Sequence, residues 1–383
     1  MRKDVSKKEK KRMLFMDSGP NALTYKLLYF LKDYFKITLV SLSKRSLDSK
    51  KMYEELGINS YSFKIIGEGY FIKKQYIKGF KEIIRFLLTI LKLKSKKQEF
   101  VFARTGDNWV GKFLFKNFKK AKKIYFPYDI GLFYWKNPKE NRSKKDIQAE
   151  KYCFEHADFI FHKGPKNELK LIKEGEAKIK GKSIHFLPYC LDKWMVPIKN
   201  TKEKLKGMNI TFIGHFLLDG SMLKRSRKEV YEKMAKQGIK IHLYDYDKLE
   251  DIKGKNMFIH KPLENKELNQ TIGKYQYGTT LSFFNKELMD KRLVLTGMGN
   301  KLFSYLEAGI PIIVDNESKY VCEIIKKYNC GVIISEKDLP NIKKILEKQN
   351  YSKLLEGVKK ARETFRMSKQ INRIIKELGL KPK

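Results

Sequence analysis

Residues 297–323 read GMGNKLFSYLEAGIPIIVDNESKYVCE, and few architectures accommodate residues in that order. Leu302, Phe303, Leu306 and Ala308 give a helical apolar face, Gly309 is a natural helix end, and Pro311 precedes the apolar run Ile312, Ile313, Val314. Helix, tight stop, buried strand and second helix thus follow within one short span, which is one αβ unit of a sheet. The same alternation runs through the chain. Strands are expected at 13–16, 37–41, 61–66, 100–103, 123–126, 158–161 and 183–187, then at 209–213, 239–244, 257–259 and 279–284, with helices between them. That pattern predicts parallel sheets covered on both faces.

A chain of 383 residues has room for two such domains, and 42% hydrophobic residues exclude disorder along its length. The polar stretch PIKNTKEKLKG at 197–207 is the expected linker. We divide the chain into a basic tail (1–12), a first domain (13–200), a second domain (201–365) and a C-terminal helix with its tail (366–383). Cys153, Cys190, Cys322 and Cys330 lack metal-like pairing and read as buried thiols. The apolar part of the N-terminus, 13–16, is too short for a signal segment, and no run approaches a membrane span, so a cytoplasmic protein is expected. Against 43 acidic residues stand 83 basic ones, a formal net charge of +40. Such an excess calls for an anionic partner: nucleic acid, anionic lipid or a nucleotide-linked substrate.

The residues Asn300, Lys301, Leu302, Tyr305, Ala308, Gly309 and Pro311 resemble the nucleotide-sugar site of GT-B glycosyltransferases, especially the family-4-like branch. The resemblance implies an α/β fold of two Rossmann-like parallel-sheet domains facing across a cleft, with the C-terminal helix crossing back to the first domain. It implies an acceptor domain followed by a nucleotide-sugar donor domain. In that family the helix N-terminus and its lysine face the donor diphosphate and a glutamate binds the ribose. Ser304 stands here where the glutamate is expected, the earlier glutamate of the two-glutamate version falls on Gly297, and Glu307 lies one turn on as a partial substitute. After the strand 209–213 the family has Gly-Arg and then a lysine. This chain has Gly214 followed by His215, with Lys224, Arg225 and Arg227 as the nearest cations.

The implied activity is transfer of a sugar from a nucleotide-sugar to a glycan or lipid-linked acceptor, in cell-surface polysaccharide or glycolipid synthesis. The nucleotide-sugar is a co-substrate, and neither a cofactor nor a metal is expected. The expected donor-binding residues are Gly19, Gly214, His215, Lys224, Arg225, Asn300, Lys301, Ser304 and Glu307. Gly19 enters because a glycine loop between strand and helix exposes backbone amides to a phosphate, although an ordinary turn would look the same. Asp17, Asp107, Asp129 and His162 follow strands and are the general-base candidates, of which Asp129 and His162 are taken as catalytic. Asp245 and Asp247 spell a metal-binding DxD of another glycosyltransferase fold and are read as loop carboxylates.

The helix at 73–97, KKQYIKGFKEIIRFLLTILKLKSKK, leaves two readings open. It covers a sheet with Ile77, Phe80, Ile84, Leu87, Leu88 and Leu91, or it lies on a membrane surface with its lysines at anionic headgroups. Nucleic acid is the less expected partner, since the aromatics fall in buried-looking strands. A GT-B-like protein that binds without catalysing is the third reading, from Ser304 and His215 at the expected glutamate and arginine positions.

Overall fold

Met13 to Phe15 and Met16 have no exposed surface, so the strand that carries them must lie inside a sheet covered on both faces. The computed structural model describes residues 10–19, 21–43, 53–65, 76–105, 108–127, 129–133, 144–174, 177–199, 207–214, 223, 226–244, 254–285 and 287–382. The chain divides into two units: Met1–Leu132, Pro138–His162 and Leu169–His185 form unit 1, and Phe133–Asn137, Lys163–Glu168 and Phe186–Lys383 form unit 2.

Unit 1 runs β1 (Lys11–Asp17), α1 (Ala22–Leu31), β2 (Phe35–Ser41), β3 (Asn59–Ser62), α2 (Tyr76–Ser95), β4 (Phe100–Thr105), α3 (Asn108–Asn117), β5 (Lys122–Pro127), α4 (Lys144–His156), β6 (Phe159–His162), α5 (Glu168–Glu174, its first residue counted with unit 2) and β7 (Lys182–His185). Its sheet has the order β3-β2-β1-β4-β5-β6-β7, with every pairing parallel. The order reverses between β1 and β4. Phe15 stacks on Phe102 at 4.5 Å there, and Phe102 meets Phe161 edge-on at 5.3 Å, so aromatic rings fill the centre.

Unit 2 runs β8 (Asn209–Ile213), α6 (Arg227–Lys236), β9 (Lys240–Tyr244), β10 (Met257–His260), α7 (Asn265–Ile272), β11 (Tyr277–Thr279), α8 (Lys291–Thr296), α9 (Lys301–Ala308), β12 (Ile312–Asp315), α10 (Lys319–Tyr328), β13 (Gly331–Ile334), α11 (Ile342–Glu347), α12 (Tyr351–Thr364) and α13 (Met367–Glu377). Its parallel sheet has the order β10-β9-β8-β11-β12-β13 and reverses between β8 and β11. Both units are therefore the Rossmann-like sheets expected. Each has a reversal point, outside which ligands of open α/β sheets bind. The core of unit 2 gathers Ile210, Phe212, Tyr231, Ile241, Leu243 and Ile313 between sheet and helices.

The helix-stop-strand reading of 297–323 holds in detail. Gly309 closes α9 at φ +73°, a left-handed conformation that costs glycine little, and β12 and α10 follow. The strand expected at 279–284 does not form. After Thr279 the amides of Ser282 and Phe284 donate to the carboxylates of Asp315 (3.2 Å) and Glu317 (2.9 Å), and side chains thus take the place of a ladder. The helix expected between the strands at 37–41 and 61–66 lies largely outside the described residues. Helix α13 hydrogen-bonds through Arg373 to Tyr189, while Arg366 just before it pairs with Asp192 at 2.7 Å; all four residues cluster in unit 2. The four cysteines are free and buried, as expected, and burial pushes the Cys322 thiol up to about 11 and that of Cys330 to about 12.

Candidate functional site

At the reversal of the second sheet, one residue of α9 ties two strands together. The Tyr305 hydroxyl accepts from the Ile213 amide at 3.3 Å and faces the Thr279 and Thr211 carbonyls at 3.0 and 3.3 Å. Its ring lies where a side chain on Gly278 would stand, since an added Cβ there would fall 2.3 Å from ring carbons. Glycine in β11 is what admits the tyrosine. Because Tyr305 is one turn beyond Lys301, this anchor also fixes where the first turn of α9 points.

Lys301 therefore arrives at the C-terminal end of β8. A Cβ on Gly214 would lie 3.3 Å from Lys301 Cε and 3.9 Å from Nζ, and Gly214 adopts φ +83°. The lysine stem passes over a glycine that has both the conformation and the space it needs. The Lys301 ammonium stands 4.3 Å from the centroid of the Phe212 ring, and the Arg227 guanidinium 5.2 Å from the same centroid. Arg227, the first residue of α6, is buried and donates from Nε and Nη2 to the Ser282 hydroxyl at 3.2 and 2.9 Å. Ser282 is held in turn by Asp315, which also accepts from Glu317, Ser318 and the Ser318 hydroxyl. Burial pushes the Asp315 carboxyl up to about 6, against the hydrogen bonds from Ser318 and Ser282. Two cations, a helix N-terminus and a fixed serine thus share one strand end. Such a place favours an anion.

Asn300 precedes α9 without capping it, and its Oδ1 is buried with no hydrogen-bond partner among the described residues. A buried acceptor in that state has capacity for a hydroxyl or amide donor, from water or from a ligand. Ser304 gives its amide to Asn300 O at 3.3 Å and sits on the same turn. Glu307 corrects the expectation placed on it. It is 1% exposed, and its oxygens accept from the Leu191 amide at 2.6 Å and Asn269 Nδ2 at 3.2 Å. The carboxylate staples α9 to α7 and to the segment after β7, with its face to the protein interior. His215, Lys224, Arg225, Asp245 and Asp247 lie outside the described residues.

Unit 1 holds the other expected residues. Asp17 ends β1 and Arg104 lies near the end of β4, both buried, with Arg104 Nη1 2.9 Å from Asp17 Oδ2. Thr24 donates to Asp17 at 2.6 Å, and Arg104 reaches Thr24 at 2.8 Å and Asn21 at 3.1 Å. Gly19 gives its amide to Asp17 at 2.9 Å. Asp17, proposed among the bases, is committed to this network, and the Gly19 amide that was to meet a phosphate is engaged by it. Gly19 is in unit 1, whereas Gly214, Asn300, Lys301 and Ser304 are in unit 2. His162 ends β6, buried, its ring 5.3 Å from that of His185. Asp129 is exposed just beyond β5, and Asp107 lies outside the described residues. The remaining paired histidines are structural: His242 Nδ1 and His260 Nε2 are 3.0 Å apart in a stack with Tyr244 and Tyr275, and burial pulls His242 down to about 4. Among the described residues no cluster of His, Cys, Asp and Glu gathers as metal ligands would.

Sequence reasoning missed Phe212, Ser282, Asp315 and Arg104. A signal for one of them was present: the apolar run PIIV ends in Asp315 just as MLFM ends in Asp17, and a charge closing a buried strand marks the sheet's ligand-facing edge.

Residues 218–378 match the family model described as glucosyltransferase 3-like, C-terminal domain, so unit 2 carries a glycosyltransferase domain. Sucrose-phosphate synthase from Thermosynechococcus elongatus is similar at TM-score 0.70 and 12% identity, over 97% of this chain and 99% of that one. HepE from Anabaena, solved in complex with UDP, gives TM-score 0.66 at 11% identity over 96% and 99%. TarM gives 0.62 at 11% identity over 98% and 99%. The chain has the GT-B fold that residues 300–311 pointed to, while these matches do not single out the family-4 branch. No curated protein sequence matches the chain.

Proposed function

We propose that the chain takes a sugar from a nucleotide-sugar donor bound on unit 2 and passes it to a glycan or lipid-linked acceptor offered to unit 1, on the cytoplasmic side. The product belongs to a cell-surface polysaccharide or glycolipid. The observation that carries the proposal is the pair of cations about Phe212, at the C-terminal end of β8 and beside the first turn of α9. Breaking an anomeric bond leaves negative charge on the departing diphosphate, and cations fixed beforehand by Ser282, Tyr305 and an aromatic ring stabilise that charge without reorganising. The chemistry of this arrangement needs no metal or cofactor, only the donor itself. The UDP bound by HepE, which shares the fold, supports a uridine nucleotide as the first probe. Asn300 Oδ1 and the Ser304 hydroxyl stand in for the ribose-binding carboxylate, since Glu307 faces the interior. Asp129, exposed beyond β5, takes the acceptor's proton in an inverting transfer.

The nucleic-acid reading is not favoured, because Phe15, Phe100, Phe102, Tyr125, Tyr231 and Tyr277 are buried and offer no ring to a base, and the exposed rings Tyr76, Phe80, Trp109 and Phe258 are scattered over three elements. Calorimetric titration of UDP, GDP and uridine into wild type and Lys301→Ala, without added metal, tests the proposal. Diphosphates bind saturably to wild type, and Lys301→Ala weakens them by about 10- to 100-fold, the worth of one charged hydrogen bond, while leaving uridine unchanged. Absence of diphosphate binding, or equal binding by the variant, refutes it.

A further inference from the structure

Helix α2 is amphipathic twice over. It packs on unit 1 through Gly79, Phe86, Ile90 and Leu93, and this seat is firm. Phe86 meets Phe63 at 5.3 Å and Phe113 at 5.5 Å, Arg85 donates to Ser62 O at 2.6 Å, and Glu82 accepts from the Lys64 amide at 3.3 Å. The residues expected to cover the sheet are a different set, and the structure turns them outward. Ile77 is 77% exposed, Phe80 63%, Leu88 61% and Leu91 60%, with Ile84, Leu87 and Tyr76 exposed beside them. At about 3.6 residues per turn, Ile77, Phe80, Ile84, Leu88 and Leu91 fall on one stripe, and Lys78, Lys81, Arg85 and Lys92 on the sector next to it. All four basic residues are exposed, and Glu82, the helix's single acid, is held by Arg85 at 2.7 Å on the flank towards β3.

We infer that α2 is a docking surface for an anionic lipid bilayer, lying in the plane of the interface with its apolar stripe among the acyl chains and its basic sector at the headgroups. Large apolar side chains gathered on one exposed stripe mark an interaction surface. Charge selects the partner. A second copy placed stripe to stripe would bring two basic sectors together on chains that each carry a formal +40, whereas an anionic bilayer attracts every one of those lysines. A nucleic acid would meet the lysines and leave the stripe in water. No described helix is long and apolar enough to cross a membrane, so attachment along the surface is the mode this helix offers.

The test is co-sedimentation of the full chain with vesicles of equal parts phosphatidylglycerol and phosphatidylcholine, against vesicles of phosphatidylcholine alone. Wild type binds the anionic vesicles and not the neutral ones, and added salt weakens the binding. Ile77→Ser/Leu88→Ser/Leu91→Ser lowers the partition coefficient by at least about a hundredfold, as expected when three apolar side chains no longer enter the interface. These side chains are outside the core, so the variant unfolds at the wild-type temperature, which scanning calorimetry checks. Equal binding to both vesicles, or wild-type binding by the variant, overturns the inference. So does a wild-type dimer in analytical sedimentation that the three substitutions dissolve, because a second copy would then cover the stripe. UDP titration of the same preparations reads the donor site independently, so failure of one proposal leaves the other standing.

Discussion

The contact between Gly214 and Lys301 can be measured as a coupling energy. Alanine at 214 must hold φ +83°, which costs a residue with a Cβ about 1–2 kcal/mol. Its Cβ would also stand 3.3 Å from Lys301 Cε, closer than carbon atoms sit comfortably, and only the flexible lysine can give way. Turning the stem off its rotamer costs about 0.5–1.5 kcal/mol. Lifting the ammonium from its place 4.3 Å over Phe212 forfeits roughly 0.5–1 kcal/mol more. Gly214→Ala therefore loses about 2–4 kcal/mol in wild type, but only the backbone cost of about 1–2 kcal/mol when Lys301 is already alanine. The double-mutant cycle, run by scanning calorimetry, should give a coupling of about 1–2 kcal/mol, a few degrees in the melting of unit 2. UDP affinity should fall in Gly214→Ala by less than in Lys301→Ala, since the charge remains and is only displaced. A coupling within about 0.3 kcal/mol of zero would show that the lysine does not cross this glycine, and the geometry of the cation pair would fall with it.

Glu307→Ala should destabilise unit 2 by about 3 kcal/mol, because the buried Leu191 amide and Asn269 lose their acceptor, while the folded variant keeps wild-type UDP affinity. Loss of affinity without loss of stability would return Glu307 to the ligand. For Asp315 the sign follows from burial, which raises its carboxyl from the ordinary 3.8 to about 6. The stability it contributes is whole below the unfolded value and is lost as pH rises through about 6, so Asp315→Asn, which does not titrate, gains on wild type between about pH 4 and pH 7, by up to about 3 kcal/mol. Melting curves at the two pH values check this, and a constant gap would sink it.

How much of this was legible in the chain depends on whether the cause was local. The turn from α9 to β12 was readable because period, glycine and proline change within a few residues, and the chain there decides its own course. Lys301 was readable by its place at that helix start. Of its partners, Gly214 and Arg227 came only through the resemblance and Phe212 not at all, because they reach it through the order of strands, which no local pattern encodes. The helix α2 shows the limit most plainly. Its apolar residues have helical spacing on two faces, and spacing alone cannot say which face meets the sheet. Packing of Phe86 between Phe63 and Phe113 settles it, and the more regular stripe is the one left outside. Glu307 was misplaced for the opposite reason. A carboxylate near a helix end looks solvated in sequence, yet the buried Leu191 amide and Asn269 draw it inward.

The two sheets reverse in the same manner and treat charge at the reversal in opposite ways. At the end of β1 and β4 an acid and a base meet directly, Asp17 against Arg104, and Thr24, Asn21 and Gly19 close the network around them. The network locks the loop into α1. At the end of β8 the bases meet a neutral ring, and the buried acid Asp315 reaches Arg227 through Ser282. A carboxylate one residue removed orients the cation through a neutral hydroxyl. Among the described residues, acid and base thus meet directly at the first reversal and through Ser282 at the second. The proposed anionic donor site is placed on unit 2 for that reason, at the reversal where two cations gather.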